Sequence, residues 1–374
     1  MINDKNISSI TNIMEDGNYN INRLAYGIDT LEMVFYGDID SSIIDRLEHL
    51  KNRESNDGEN TVIKLGSQNF YVLPHGAKRY KYIIKNNLLN IKLTERIKND
   101  TYPNVYVRLS SEFLWLHSEE KAYKKLKNIL NTFMEIDIEK ISRVDIALDL
   151  EKVHNVFCST KLKEYIVSKA KTRTASWEAD GDAWSWYIGS KKSNHFIRIY
   201  NKTKEIKKRK KDFIKAIWNN NGYEGGNVWR IELQCRAKTL REYSINDFKD
   251  LKDILPDLWR GFFQDWFTLR KKDDSNNSRR TIFTLYKKYI LSTFKCFGQL
   301  TGIIRDRSKK GKLDNLINSA VGYMTSIGAL CDINSLENLL YFIIQKTKEK
   351  LKSNDEYLTE IEKKIPKYQE QYAS

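Results

Sequence analysis

Between Leu24 and Tyr36 the chain alternates apolar and polar positions from Ile28 to Val34, the two-residue period of a half-buried strand. Asp40 to Asn52 switches to helical spacing through Ile43, Ile44, Leu47 and Leu50. Five short strands are then predicted at Thr61 to Leu65, Asn69 to Leu73, Tyr80 to Lys85, Leu89 to Leu93 and Asn104 to Leu109, a succession that suggests antiparallel sheet. Glu119 to Met134 places Ala122, Leu126, Ile129, Leu130 and Phe133 on one stripe, a helix packed on that sheet. Ile141 to Leu150 and Val228 to Ala237 are expected strands, Trp184 to Gly189 with His195 to Asn201 an expected hairpin, and Lys161 to Ala170 an expected helix.

From about Leu240 the texture changes, and Phe248 to Leu258, Trp259 to Leu269, Thr281 to Phe297, Lys312 to Leu330 and Ser335 to Lys352 all favour helix. Asp273 to Arg280 is the clearest linker-like break, and Lys350 to Ser374 reads as a detached or frayed helix. Strands with interspersed helices and no regular βαβ spacing give an α+β fold, a largely antiparallel sheet lobe over residues 1–240 followed by a mainly helical lobe over residues 241–374.

Lys+Arg 64 against Asp+Glu 49 leaves +15, a balance that attracts polyanions and makes nucleic acid the first partner to consider. Cys158, Cys235, Cys296 and Cys331 are scattered without a C-x-x-C pair, so the chain reads as reduced and cytoplasmic. The polar start and the lack of any sufficiently long apolar window predict neither export nor membrane insertion. No phosphate-cradling Gly-rich loop or nucleophile-elbow pattern is present, and His75, His117, His154 and His195 lack metal-motif spacing.

Three polar-faced strands carry the chemistry. In Phe196 to Lys202, strand periodicity puts Arg198, Tyr200 and Lys202 on one face, a phenol between two cations that would favour its phenolate. Ile141 to Leu150 presents Arg143, Asp145, Ala147 and Asp149 opposite Val144, Ile146, Leu148 and Leu150; two carboxylates that close invite a Mg²⁺ or Mn²⁺ ion. Trp229 to Arg236 repeats the design with Arg230, Glu232, Gln234 and Arg236. If the strands are neighbours, Glu232 becomes a third carboxylate, and Arg230 or Arg198 stabilises charge while Tyr200 attacks phosphorus, leaving a 5′-phosphotyrosyl link and a free 3′-hydroxyl. The cluster Lys207, Lys208, Arg209, Lys210 and Lys211, with Arg236, is suited to tracking DNA backbone, and Trp177, Trp184, Trp186 and Trp218 are candidates for stacking or core packing.

Ser142 to Asp149, Trp186 to Ser193, Phe196 to Lys202 and Trp229 to Arg236, in that order, resemble the trans-acting rolling-circle replication initiators of Gram-positive plasmids and the related relaxases of integrative conjugative elements. The likeness covers residues 140–240 most clearly. It implies Tyr200 as the nicking tyrosine, Asp145, Asp149 and Glu232 as metal ligands, a stem-loop in double- and single-stranded origin DNA as substrate, a homodimer, and recruitment of a host helicase. The helical lobe would then serve origin recognition, dimerisation or helicase contact. A conjugative relaxase, a non-enzymatic origin- or operator-binding protein, and a metal nuclease without a covalent step are the alternatives.

Overall fold

The computed structural model describes residues 5–16, 19–57, 61–95, 102–177, 183–209, 212–303, 305, 309–351 and 353–369. Among the described residues thirteen strands form: β1 (Asn22–Ile39), β2 (Val62–Leu65), β3 (Gln68–Val72), β4 (Tyr82–Lys85), β5 (Leu89–Leu93), β6 (Val105–Leu109), β7 (Met134–Glu151), β8 (Ile166–Ser168), β9 (Arg173–Trp177), β10 (Ala183–Ile188), β11 (His195–Asn201), β12 (Trp229–Arg236) and β13 (Phe267–Leu269). Eleven of them make one sheet in the order β2-β3-β4-β5-β6-β1-β7-β12-β11-β10-β9, with every neighbouring pair antiparallel. With its helices this is the α+β class expected from the residue pattern.

The spine is the pairing of β1 with β7, each 18 residues long and paired from Asn22 opposite Glu151 to Ile39 opposite Met134, with register shifts along the way, one of them between Ile28 and Thr30. On β7, β12 and β11 the apolar set Val144, Ile146, Leu148, Ile197, Ile199, Ile231 and Leu233 is fully buried, in one core with the helix Phe248–Gly261. Removing such a two-sided alternation from water is what fixes the register, because a one-residue slip would turn the whole set to the other face. The opposite face of the three strands carries the polar residues.

Three expectations are corrected. The predicted helix over Lys161 to Ala170 is a short 3-10 turn, Thr160–Glu164, followed by β8. The predicted helix over Trp259 to Leu269 ends in the π-helical turn Phe262–Trp266 and becomes β13, which pairs with β8. Short apolar runs are ambiguous between helix and buried strand, and here pairing decides. Asp273 to Arg280 is no interdomain linker: Asp273 accepts from the Thr281 N–H at 3.0 Å, and Arg280 Nε donates to the Asp274 carbonyl at 2.8 Å. Accordingly the chain divides into compact units at residues 1–304 and 305–374 rather than at 240, because Trp259, Phe263, Phe267 and Tyr286 complete the core of the first. The second unit comprises the helices Lys309–Leu330, Leu336–Leu351 and Asn354–Gln369.

Candidate active site

The strand order places β12 between β7 and β11, so the three polar faces meet. Tyr200 lies opposite Arg230, Arg198 opposite Glu232, and Arg230 opposite Asp149. Tyr200 is 2% exposed. Its hydroxyl donates to Glu232 Oε2 at 3.1 Å and accepts from Lys202 Nζ at 3.3 Å. Arg198 reaches the same carboxylate through Nη2, at 3.0 and 3.2 Å, and its guanidinium centre sits 3.9 Å from the centroid of the Tyr200 ring.

The electrostatics differ from the expectation that flanking cations would favour the phenolate. Burial, reinforced by the Glu232 carboxylate, pushes Tyr200 well above its ordinary value, and Arg230 and Arg198 do not offset it. Burial also lowers Lys202, with the Arg230 charge adding to the effect, although its Nζ is 2.5 Å from Glu205 Oε2. Desolvation opposes charge on Arg198 too, but Glu232 holds it protonated.

Arg230 is fully buried and already neutralised. Its Nε and Nη2 grip Asp149 at 2.6 and 2.8 Å, and Nη1 bonds Asp29. Both oxygens of Asp149 are thereby occupied, and Oδ2 also accepts from Trp218 Nε1 at 2.8 Å. A fully buried carboxylate in such a clamp orders the site from within, so neither Asp149 as a metal ligand nor Arg230 as a phosphate contact fits this arrangement.

Asp29 escaped the sequence pattern. It sits between Ile28, opposite Ile146, and Thr30, opposite Asp145, where the register shifts, and a bulge of this kind re-aims a side chain. Ser111 and Trp115, from the helix Ser111–Leu116, donate to Asp29 Oδ1 at 2.8 Å each. Against the cost of burial, Arg230 and Lys202 hold its carboxyl below the usual range. Glu205 was equally missed, since it belongs to the helix Lys202–Arg209 rather than to a strand; that helix is capped by Asn201 Oδ1 accepting from the Lys204 N–H at 3.0 Å.

Asp145 is held by Arg143 through two bonds, 2.8 and 2.5 Å. Burial nevertheless pushes it up to about 7, with the Glu232 and Asp29 carboxylates acting against the pull of Arg143. Among the described residues no group of three or more His, Cys, Asp or Glu side chains is arranged to hold a metal ion. The three-carboxylate set therefore does not fit. Asp145 with Glu232 fits in its chemistry: the arginines that bond them, Arg143 and Arg198, keep some exposure to solvent, unlike Arg230, and a hard cation would relieve the negative charge that Glu232 places beside Asp145.

Among the described residues three buried donors on this face lack a partner: Ser185 Oγ, on the residue opposite Tyr200, Arg198 Nε, and, farther along β12 opposite Phe196, Gln234 Nε2. Such groups are uncommon in a folded chain and mark places where a ligand can supply the acceptor. Lys207 and Lys208 are exposed on the helix that follows β11. That helix is described as far as Arg209, and Lys210 and Lys211 lie outside the described residues. Arg236 is exposed at the far end of β12, donating to the Lys191 carbonyl at 3.1 Å, and does not join the Tyr200 cluster. Trp218 and Trp186 are buried, which leaves Trp184 and Trp177 more open to solvent.

The fold and site thus define an α+β protein with a tyrosine, two arginines and carboxylates on adjacent central strands. No family model matches the sequence. The chain is similar to a replication initiation protein of Staphylococcus aureus, 27% identical over 225 residues that cover 60% of this chain and 58% of the relative. It is similar to a second replication initiation protein of S. aureus, 27% identical over 182 residues and 48% of each chain. It spans about half the length of the curated relatives it matches. A rolling-circle replication initiator protein from Geobacillus stearothermophilus superposes with a TM-score of 0.43 at 16% identity, over 75% of this chain and 98% of that one. The curated relatives it matches are replication initiation proteins. Among the described residues no helix is long and apolar enough to cross a membrane.

Proposed function

We propose that the chain initiates rolling-circle plasmid replication by nicking and rejoining one strand of origin DNA through Tyr200. The observation that carries this reading is the pairing of a tyrosine with unpartnered buried donors: Ser185 Oγ and Arg198 Nε lie on the face where Tyr200 would meet a phosphate. Non-bridging phosphate oxygens supply what those donors lack. Tyr200 Oη attacks phosphorus, the bond from phosphorus to the 3′ oxygen breaks, and the 5′-phosphotyrosyl link conserves its energy for rejoining. The phenol proton passes to Glu232 Oε2, its hydrogen-bond acceptor, and the departing 3′ oxygen takes up a proton. Arg230, Asp149 and Asp29 hold the face rigid. A divalent cation, Mg²⁺ or Mn²⁺, bound by Asp145 and Glu232 would neutralise charge developing on the phosphate.

Origin DNA is the proposed partner in both duplex and unpaired form, with Lys207 and Lys208 contributing to backbone attraction. A second copy of the chain and a host helicase are proposed on the family resemblance alone. Tyr200→Phe is expected to abolish the covalent protein–DNA adduct on an oligonucleotide carrying the nick site, seen on a denaturing gel, while duplex binding stays within about twofold. An adduct formed by the variant would refute the assignment. The burial of Tyr200 favours one competing reading, an origin-binding protein without chemistry. Under that reading a supercoiled origin plasmid stays intact with wild-type protein and Mn²⁺.

A further inference from the structure

At its β9 edge the sheet carries a cleft of about 410 Å³, lined by Lys163, Arg173, Ala175, Trp177, Trp186 and Ile188 among others. Most of its lining lies on the face opposite Tyr200, while Thr174 and Tyr187 belong to the Tyr200 side of the edge. Ser185 and Tyr187 pair with Tyr200 and Arg198, whereas Trp186 pairs with Ile199 and Ala175, and alternation carries Arg173 and Trp177 to the Trp186 side. Trp186 is fixed by donating its indole N–H to the Phe157 carbonyl at 2.7 Å. Trp177 stands edge-on to it at 5.4 Å and 81°, and is 46% exposed. An indole kept at a sheet edge with so much surface in water has not been used for the core.

Among the described residues no acidic side chain lines the cleft, while Lys163 and Arg173 do, and Lys169 and Lys171 lie exposed between β8 and β9. Glu164, next to Lys163, is bonded to Lys272 at 2.5 Å. Arg173 is anchored through Nη1 to the Ile166 carbonyl at 2.9 Å. An aromatic ring with open surface, two cations and a volume at the low end of the roughly 300–1,000 Å³ typical of ligand sites match an unpaired base and its phosphates. We infer that this cleft is a second docking site for single-stranded DNA, taking a base against Trp177 and the adjoining phosphates on Lys163 and Arg173. The cleft is two strands, about 10 Å, from β11, so a strand leaving the Tyr200 face can fold over the edge into it.

The site is independent of covalent chemistry, and its test uses the 374-residue chain with a labelled oligothymidylate of about ten nucleotides, which contains no nick site. Fluorescence anisotropy is expected to show Trp177→Ala weakening binding by roughly 5- to 100-fold and Trp177→Phe by no more than about twofold. Arg173→Gln is expected to weaken it and to flatten the salt dependence. Circular dichroism confirms that each variant is folded; Trp177 is open to solvent, and should Trp177→Ala misfold, the affinity of Arg173→Gln decides. Affinity unchanged in both variants overturns the inference. So does an equal loss for a blunt duplex, which has no unpaired base to stack. Failure of the wild-type chain to form a covalent adduct on the nick-site oligonucleotide, with oligothymidylate binding intact, would count against the nicking reading and leave this site standing.

Discussion

Asp149→Asn separates a structural carboxylate from a metal ligand. The substitution keeps the shape of the side chain and removes the charge that neutralises Arg230, a guanidinium with no solvent exposure. Breaking a buried ion pair by altering one partner costs roughly 3–5 kcal/mol, and no solvent screens this one. Asp29 remains as the second partner of Arg230, so the lower end, about 3 kcal/mol, is expected. For a cooperative unit of this size each kcal/mol lowers Tm by about 2 °C, giving a fall of about 6 °C or more by differential scanning calorimetry. Mn²⁺ affinity, measured by isothermal titration on the folded variant, should stay within about threefold of wild type. Asp145→Asn should behave in the opposite way, with a smaller change in Tm and a loss of Mn²⁺ affinity of at least about tenfold. If Asp149→Asn melts with the wild type and loses the cation, the clamp argument is wrong and Asp149 is a ligand.

A cation taken by Asp145 must displace a proton that burial holds up to about 7, so Mn²⁺ affinity should rise from about pH 6 to 8. Glu232→Gln removes a neighbouring negative charge and should move the Asp145 titration midpoint down, read on the metal-free protein by carboxyl NMR; an unmoved midpoint refutes the coupling. For stability the signs are opposed: the contribution of Asp145, its value raised, is full below about pH 4 and lost as pH rises through 7, whereas that of Asp29, its value lowered, is present above about pH 4 and lost on acidification. Replacing both Lys207 and Lys208 with Gln should reduce the slope of log affinity for DNA against log salt by about 1–2, and no change would exclude them from the phosphate contacts. A chain ending at residue 304 should unfold cooperatively in urea, and one ending at 240 should not, because it loses Leu258, Trp259, Phe263 and Tyr286 from the core.

The residue pattern is most informative where period and chemistry coincide. β7, β11 and β12 alternate strictly, so their polar faces can be assigned without knowing that the strands are adjacent. Asp29 cannot be found this way, because a bulge takes it out of the two-residue period and only the partner strand shows where it points. Trp259 to Leu269 fails for a related reason: a short apolar run does not state whether it bonds to itself or to a distant strand, and β8 is about a hundred residues away. The protonation of Tyr200 is not legible either. Flanking cations are visible in sequence, but the depth that outweighs them arises only when Glu232 and Arg230 close over the same face.

The position of the tyrosine strand within the sheet also sets an order of events on heating. β7, β12 and β11 are hydrogen-bonded on both sides, whereas β9 has one neighbour and half-exposed side chains. Local opening begins at such margins and reaches doubly paired strands only near the free energy of global unfolding. Amide protons of Tyr200 and Glu232 should therefore exchange among the slowest in the chain, and those of Thr174 and Ser176 much faster. A preparation that has lost its grip on unpaired DNA through fraying at the margin would still present an intact nucleophile.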